Sequence, residues 1–297
     1  MRSIMAILLA ATFVNCCGKP KVATDSQVAS SPAEVKQVEP PAPLQLGLIF
    51  MGDSGEPGTG QSAVALGLEA YCSQNRCDGG LLLGDNFYPK GVTRSDDPQF
   101  DTAFEIPYQN LNFAFFVVAG NHDAMGSIDA EVMHKSKHWM MPARYYGLNH
   151  QLVNLYALDT NEVGHPFKGR KQRDWLYESL HKATAPWRIV YGHHPIYSTG
   201  FHGGSLSIRH HVSPMLEANK VDFYLSGHDH DKELIERNGI KYVVSGAAAK
   251  LRRVNGRGSV FARASLGFGH LLLTEHQATL RFMDAAGKVE FEKTYTK

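Results

Sequence analysis

The chain has 297 residues, 43% of them hydrophobic, with 30 Lys and Arg against 29 Asp and Glu and a formal net charge of +1. That length and apolar content suffice for one large buried core, in one or two domains. The near-neutral balance excludes both the basic field of a nucleic-acid binder and an acidic tail, so no nucleic acid is expected as a stable partner.

In chain order, Arg2 precedes an apolar stretch from Ile4 to Val14. The stretch falls short of the roughly 20 residues of a spanning helix, and residues 1–17 read as a secretory signal. Residues 18–44 are rich in Pro, Ala, Ser and Val, include Glu39-Pro40-Pro41-Ala42-Pro43 and show no apolar period. They read as a disordered tether, because such a segment buries too little apolar surface to offset its chain entropy. A folded domain is expected over residues 45–297.

Strands and helices then alternate. Leu46 to Met51 predicts a strand, Gln61 to Ser73 a helix with Ala63, Leu66 and Ala70 on one face, and Gly80 to Leu83 a second strand. Cys72 and Cys77 are the only cysteines outside the signal region. In an exported protein they read as a local disulfide, against the alternatives of two free thiols or an incomplete soft-metal site. Asp101 to Tyr108 and Asp129 to Lys137 read as helices flanking a strand at Phe113 to Ala119. Arg144 to Asp159 reads as a hairpin turning at Asn149-His150. A helix over Lys171 to His181, a strand over Trp187 to Tyr191, a helix near His210 to Ala218 and a strand over Val221 to Ser226 follow. Beyond them lies β pattern at Leu234 to Glu236, Lys241 to Ser245, Gly267 to Thr274 and Ala278 to Met283. This layout predicts an α/β fold, a four-layer α-β-β-α sandwich of two mixed sheets with helices on both outer faces.

Five apolar runs share one ending, a glycine followed by residues with metal-ligand side chains: Gly52-Asp53, Gly84-Asp85-Asn86-Phe87-Tyr88, Gly120-Asn121-His122-Asp123, Gly192-His193-His194-Pro195 and Gly227-His228-Asp229-His230. Singly, each has a plainer explanation, since Gly-Asp is a common turn dipeptide and a histidine after a strand is usually a capping or packing residue. Together they describe a site at the carboxyl ends of parallel strands, where open α/β sheets bind ligands. Asp53, Asp85, Tyr88, Asn121, His193, His228 and His230 offer oxygen and imidazole donors and no thiolate, a set suited to iron, zinc or manganese. Seven donors fill two coordination spheres if one carboxylate bridges, and two metals so held clamp a phosphate between attacking and leaving oxygens.

In order and spacing these five motifs resemble those of the calcineurin-like metallophosphoesterases. Tyr88, three residues after Asp85, is similar to the tyrosine that marks the purple acid phosphatases, and Ala119 to Met125 looks most like the small, tartrate-resistant type. The resemblance implies a binuclear centre in which Asp53, Asp85, Tyr88 and His230 hold Fe(III) and Asp85, Asn121, His193 and His228 hold Fe(II), Zn(II) or Mn(II). It implies an acid phosphatase that hydrolyses small phosphomonoesters by attack of a metal-held hydroxide, with His122 and His202 facing the phosphate and protonating the leaving alcohol. A phosphodiesterase or nucleotide hydrolase on the same fold, and an inactive tethered binding protein, are the alternatives. His194, Asp123 and Asp229 are expected behind the ligands or against substrate, the two aspartates orienting neighbouring histidines. Phe13-Val14-Asn15-Cys16-Cys17-Gly18 resembles a bacterial lipoprotein signal, although Asn15 departs from the small residue usual there. That resemblance implies export to the periplasm or cell envelope, with membrane attachment through lipid on Cys16 or Cys17, or secretion. Between Thr160 and Arg173, where mammalian tartrate-resistant enzymes carry a long acidic segment over the metals, this chain has a short one with four Lys or Arg residues and one Glu. Those charges either raise the local potential for anions or simply face water.

Overall fold

The computed structural model describes Leu44–Lys297. The signal and lipidation readings, and all of the tether but its last residue, lie outside the described residues. Among the described residues, fourteen strands form two sheets of seven. The first contains β1 (Leu46–Met51), β2 (Gly79–Leu82), β3 (Phe115–Val117), β4 (Trp139–Met140), β12 (Gly267–Leu273), β13 (Gln277–Asp284) and β14 (Val289–Thr296), in the order β14-β13-β12-β1-β2-β3-β4. The second contains β5 (Tyr146–Asn149), β6 (Val153–Ala157), β7 (Trp187–Tyr191), β8 (Phe223–Ser226), β9 (Lys232–Arg237), β10 (Ile240–Ser245) and β11 (Phe261–Arg263), in the order β11-β9-β10-β8-β7-β6-β5. In each sheet the strands that precede the ligand motifs run parallel: β1-β2-β3 in the first and β7-β8 in the second.

These strands read as continuous apolar runs because both their faces are buried. Side chains alternate between faces, so neighbours enter different cores. Leu48, Phe50, Leu81, Leu83 and Val118 pack between the sheets against Ile189, Tyr191, Phe223 and Leu225. Ile49, Met51, Leu82 and Val117 turn outward onto helix α1 (Thr59–Cys72) and the helical stretch formed by the π-helical turn Phe100–Glu105 and α2 (Ile106–Tyr108). On the far side Val190, Tyr224 and Tyr242 meet α4 (Arg170–His181), α5 (Leu206–His211) and α6 (Ser213–Ala218). The result is the α-β-β-α sandwich, with α3 (Ile128–Met133) beside the first sheet's parallel edge. No helix among the described residues is long and apolar enough to cross a membrane.

Several local expectations are corrected. Helix α1 buries Val64, Leu68 and Tyr71, whereas Leu66 is 67% exposed and Ala63 and Ala70 also lie off the core. Both stripes fit a helical period, and the larger residues won the core. The helix expected over Asp129 to Lys137 stops at Met133, and the one near His210 to Ala218 is two short helices meeting at Val212. Strands β4, β11 and β14 were not anticipated; β14 alternates exposed and half-buried residues on the sheet edge and carries little apolar signal. Cys72 and Cys77 form a disulfide with their Cα atoms 5.6 Å apart.

Candidate metal centre

All five motifs leave the carboxyl ends of parallel strands, three from the first sheet and two from the second, so the two rows of loops face one another across the sandwich. Backbone hydrogen bonds hold them in register: Asp53 N–H donates to Gly84 O at 2.9 Å and Gly227 N–H to His193 O at 3.0 Å. Asp53, Asp85 and His228 adopt left-handed backbone conformations, with φ of 58°, 53° and 70°. Such strain in residues with a β-carbon collects at functional sites, where the surroundings over-determine it. Gly120 is needed for close approach, because a Cβ there would lie 2.1 Å from Asp85 Oδ1.

The seven candidate ligands converge in two groups joined by Asp85. Tyr88 Oη lies 3.1 Å from Asp53 Oδ1, 3.0 Å from Asp85 Oδ2 and 3.4 Å from His230 Nε2, and His230 Nε2 lies 3.3 Å from Asp53 Oδ1. On the other side, His193 Nε2 lies 3.0 Å from Asn121 Oδ1, 3.1 Å from His228 Nδ1 and 3.5 Å from Asp85 Oδ1. One oxygen of Asp85 therefore faces each group.

The donor set fits a cation. His193 Nδ1 lies 2.9 Å from the carbonyl oxygen of Leu83, which can only accept, so that nitrogen carries the proton and Nε2 presents a lone pair. Burial pushes the His193 imidazole down to about 3, so a second proton is not supplied. Its lone pair is thus aimed at the oxygens of Asn121 and Asp85, which likewise offer electrons, and a positive ion turns that repulsion into coordination. Burial, and then the neighbouring His193 and His194, push His228 down to about 2. Burial, reinforced by the charge of Asp85, pushes Asp53 up to about 6. The Tyr88 phenol is raised by burial and then by the Asp53 and Asp85 carboxylates. The raised Asp53 and Tyr88 are groups whose anionic forms a cation at this position would favour, and the lowered His193 and His228 keep their lone pairs free for one.

Around the ligands the structure departs from expectation. Asp123 orients no histidine ring. Its carboxylate accepts the backbone N–H groups of Asn86 at 3.0 Å, Phe87 at 3.0 Å and Gly120 at 2.7 Å, plus the Asn86 side-chain amide at 3.1 Å. It staples the Asp85 loop to the Asn121 loop, because short turns leave their N–H groups unpaired. Asn86 continues the network to Val118 O and to Glu131, whose carboxyl is raised well above its usual range by burial and then by Asp123. Asp229 accepts the backbone N–H of His202 and Gly203 and the Ser198 hydroxyl, so it places the His202 loop rather than a ring. His194 takes a hydrogen bond with Thr160 Oγ1 at 2.8 Å and forms a close imidazole group with His193 and His228.

His122 and His202 stand on opposite flanks. His122 donates Nδ1–H to Pro89 O at 2.7 Å, which leaves Nε2 4.0 Å from Asp85 Oδ2. The His202 ring lies over His228 with centroids 4.4 Å apart, and its Nε2 accepts from Arg252 Nη1 at 2.6 Å. In this state His202 is an acceptor, held below its usual range by burial and then by the Arg252 charge. Donating a proton from Nε2 requires the guanidinium to let go. Arg252 and Lys250 escaped the sequence reading. They follow β10, which is parallel to β8 and whose apolar run also stops at a glycine, Gly246, but with no ligand-type residue behind it. In the segment after Asp159, Arg173 spends its guanidinium on the carbonyls of Val163, His165 and Pro166, while Lys168 and Arg170 are exposed.

Residues 48–232 match the calcineurin-like phosphoesterase family. Tartrate-resistant acid phosphatase type 5 of Oryctolagus cuniculus is 32% identical over 255 residues, covering 73% of this chain and 78% of that protein. Purple acid phosphatase 3 of Arabidopsis thaliana is 29% identical over 304 residues, covering 90% and 83%. Among solved structures, GAP50, the anchor in the inner membrane complex of Plasmodium, superposes with a TM-score of 0.78 at 25% identity, covering 85% of this chain and 89% of that one. With its family match, its relatives and a clustered set of Asp and His side chains able to hold metal, the chain belongs to the calcineurin-like phosphoesterases, within the purple and tartrate-resistant acid phosphatases, and is a phosphoric monoester hydrolase.

Proposed function

We propose that this chain is an exported binuclear acid phosphatase that releases phosphate from small phosphomonoesters. The observation that carries the reading is the split of the seven donors into two groups that share Asp85, one oxygen facing each. Asp53, Asp85, Tyr88 and His230 would hold Fe(III), and Asp85, Asn121, His193 and His228 would hold Fe(II), Zn(II) or Mn(II). When bound, the pair of metals supplies an activated water and neutralises the charge that builds on the phosphoryl oxygens. The residues of the chain do the rest. His122 is fixed by Pro89 with Nε2 directed to the phosphate side, and His202, once an anion draws Arg252 away, takes up a proton from water at Nε2 and passes it to the leaving alcohol. Export is supported by the apolar N-terminal stretch and by the disulfide at Cys72 and Cys77, and lipid attachment at Cys16 or Cys17 by the sequence around them.

A non-catalytic reading has one specific support, the likeness to a Plasmodium structure described as an anchor. The convergence of all seven donors argues against it, because a binding surface has no use for lone pairs aimed at one another. The deciding experiment is metal analysis of the purified protein, followed by phosphate release from a mono- and a diester side by side after reconstitution. Two metals per chain with monoester turnover support the proposal. No bound metal and no release would give way to the anchor reading, and faster diester cleavage to a phosphodiesterase.

A further inference from the structure

The loop that follows β10 lies over the metal cleft, and it is built there rather than draped. Gly246 passes behind Asp53 so closely that a Cβ would sit 2.6 Å from Asp53 Oδ2. Farther on, Arg252 N–H donates to His230 O at 2.9 Å, which ties the loop to a candidate ligand. Between these anchors the chain presents two cations to a cavity of about 530 Å³ that also reaches Tyr88, His122 and His230. The two cations differ. Lys250 is ion-paired with Glu56 across the cavity rim. Arg252 has no carboxylate partner among the described residues. Its guanidinium lies 4.9 Å from the Phe201 ring and makes one side-chain hydrogen bond, to His202 Nε2. The other guanidinium N–H groups have no protein acceptor among the described residues, in a group whose planar fork matches phosphate oxygens in pairs.

We propose that Arg252 is a specificity-determining residue that forms a second anion subsite on this cleft and takes a second phosphate of the substrate, while the first occupies the metal centre. The proposal rests on the phosphatase reading and narrows its substrate class to compounds carrying two phosphates. The subsite is close enough for one small molecule to span both positions, because Arg252 touches His202 and His202 covers His228. A merely structural Arg252, holding the Phe201-His202 turn, would affect every substrate alike.

The test compares glucose 1,6-bisphosphate with glucose 6-phosphate on the metal-loaded enzyme, and reads the ratio of their kcat/KM values so that any common effect through His202 cancels. The expected result is a preference of wild type for the bisphosphate, falling by about ten-fold or more in Arg252→Ala, the range for losing one charge-assisted hydrogen-bonded pair. Arg252→Lys keeps the charge without the fork and should fall in between; it also serves if the alanine variant does not fold. A ratio unchanged in both variants, or a wild type with no preference for the bisphosphate, overturns the subsite while leaving the phosphatase intact. A metal-loaded wild type that releases no phosphate from either compound overturns the phosphatase reading instead. The subsite is then judged by calorimetric binding of the same two compounds, where equal affinities overturn it.

Discussion

Replacing Asp123 should cost the protein more than replacing any single candidate ligand. In Asp123→Ala three backbone N–H groups, those of Asn86, Phe87 and Gly120, lose their acceptor in a site where Asp123 is fully buried. An unsatisfied buried donor costs about 1–3 kcal/mol. Allowing a water to enter the space left by the carboxylate and recover part of this, the net loss is about 3–5 kcal/mol. For a domain of this size that corresponds to a melting temperature lowered by roughly 6–20 °C. The same three donors come from the two loops that carry Asp85 and Asn121, so the bridging position should loosen and the second metal bind more weakly. The assay is thermal unfolding of the metal-free protein, where no ligand binding contributes, followed by metal titration. A metal-free variant melting within about 2 °C of wild type and binding both metals with unchanged affinity would refute the claim that the carboxylate staples the loops.

Tyr88→Phe should abolish the visible phenolate-to-iron band of the reconstituted protein while keeping most of the metal, since Asp53, Asp85 and His230 remain; a colourless, active wild type holding only zinc would count against this. Serine at both Cys72 and Cys77 should cost about 2 kcal/mol, the loop-entropy value for a small loop, and leave the pH–rate profile in place; equal melting temperatures would contradict it. His270 donates Nε2–H to Arg76 O and accepts from Tyr71 Oη, and burial pushes it down to about 4 from 6.5. Its folded-state value is depressed, so its stabilisation is complete above pH 6.5 and is lost as the pH falls towards 4, about 3 kcal/mol in all. Denaturant melts of the metal-free protein between pH 4 and 7 should show that slope, and His270→Gln should flatten it. Nicking between Thr160 and Arg173 should not raise turnover, because the segment's single acid is Glu162 and Arg173 already fastens the loop to three carbonyls; several-fold activation in a timed digest would overturn that.

What the sequence made legible follows from where information is stored. Strands buried on both faces must be apolar throughout, so β1, β2, β7 and β8 announce themselves. A strand end that carries chemistry must combine a glycine for close approach with a donor side chain, so the seven candidate positions that the structure brings together could be read from five short strings. The sandwich itself followed from the alternation of elements. The edge strand β14 was missed because one of its faces meets water and its alternation of half-buried and exposed residues resembles a polar loop. The partners of Asp123 were misjudged for a different reason: they are backbone N–H groups, which every residue carries, and no side-chain pattern reports them. Arg252 marks the hardest case. Its place beside the candidate metal centre depends on β10 pairing parallel to β8, with Val243 opposite Leu225, and on an anchor through its own N–H to His230 O. Neither is written in the string Lys250-Leu251-Arg252-Arg253, where two adjacent arginines look alike. Only the fold makes one of them half-buried against His202 and leaves the next exposed, and that difference, invisible in composition or spacing, is what turns a surface charge into a candidate determinant of substrate choice.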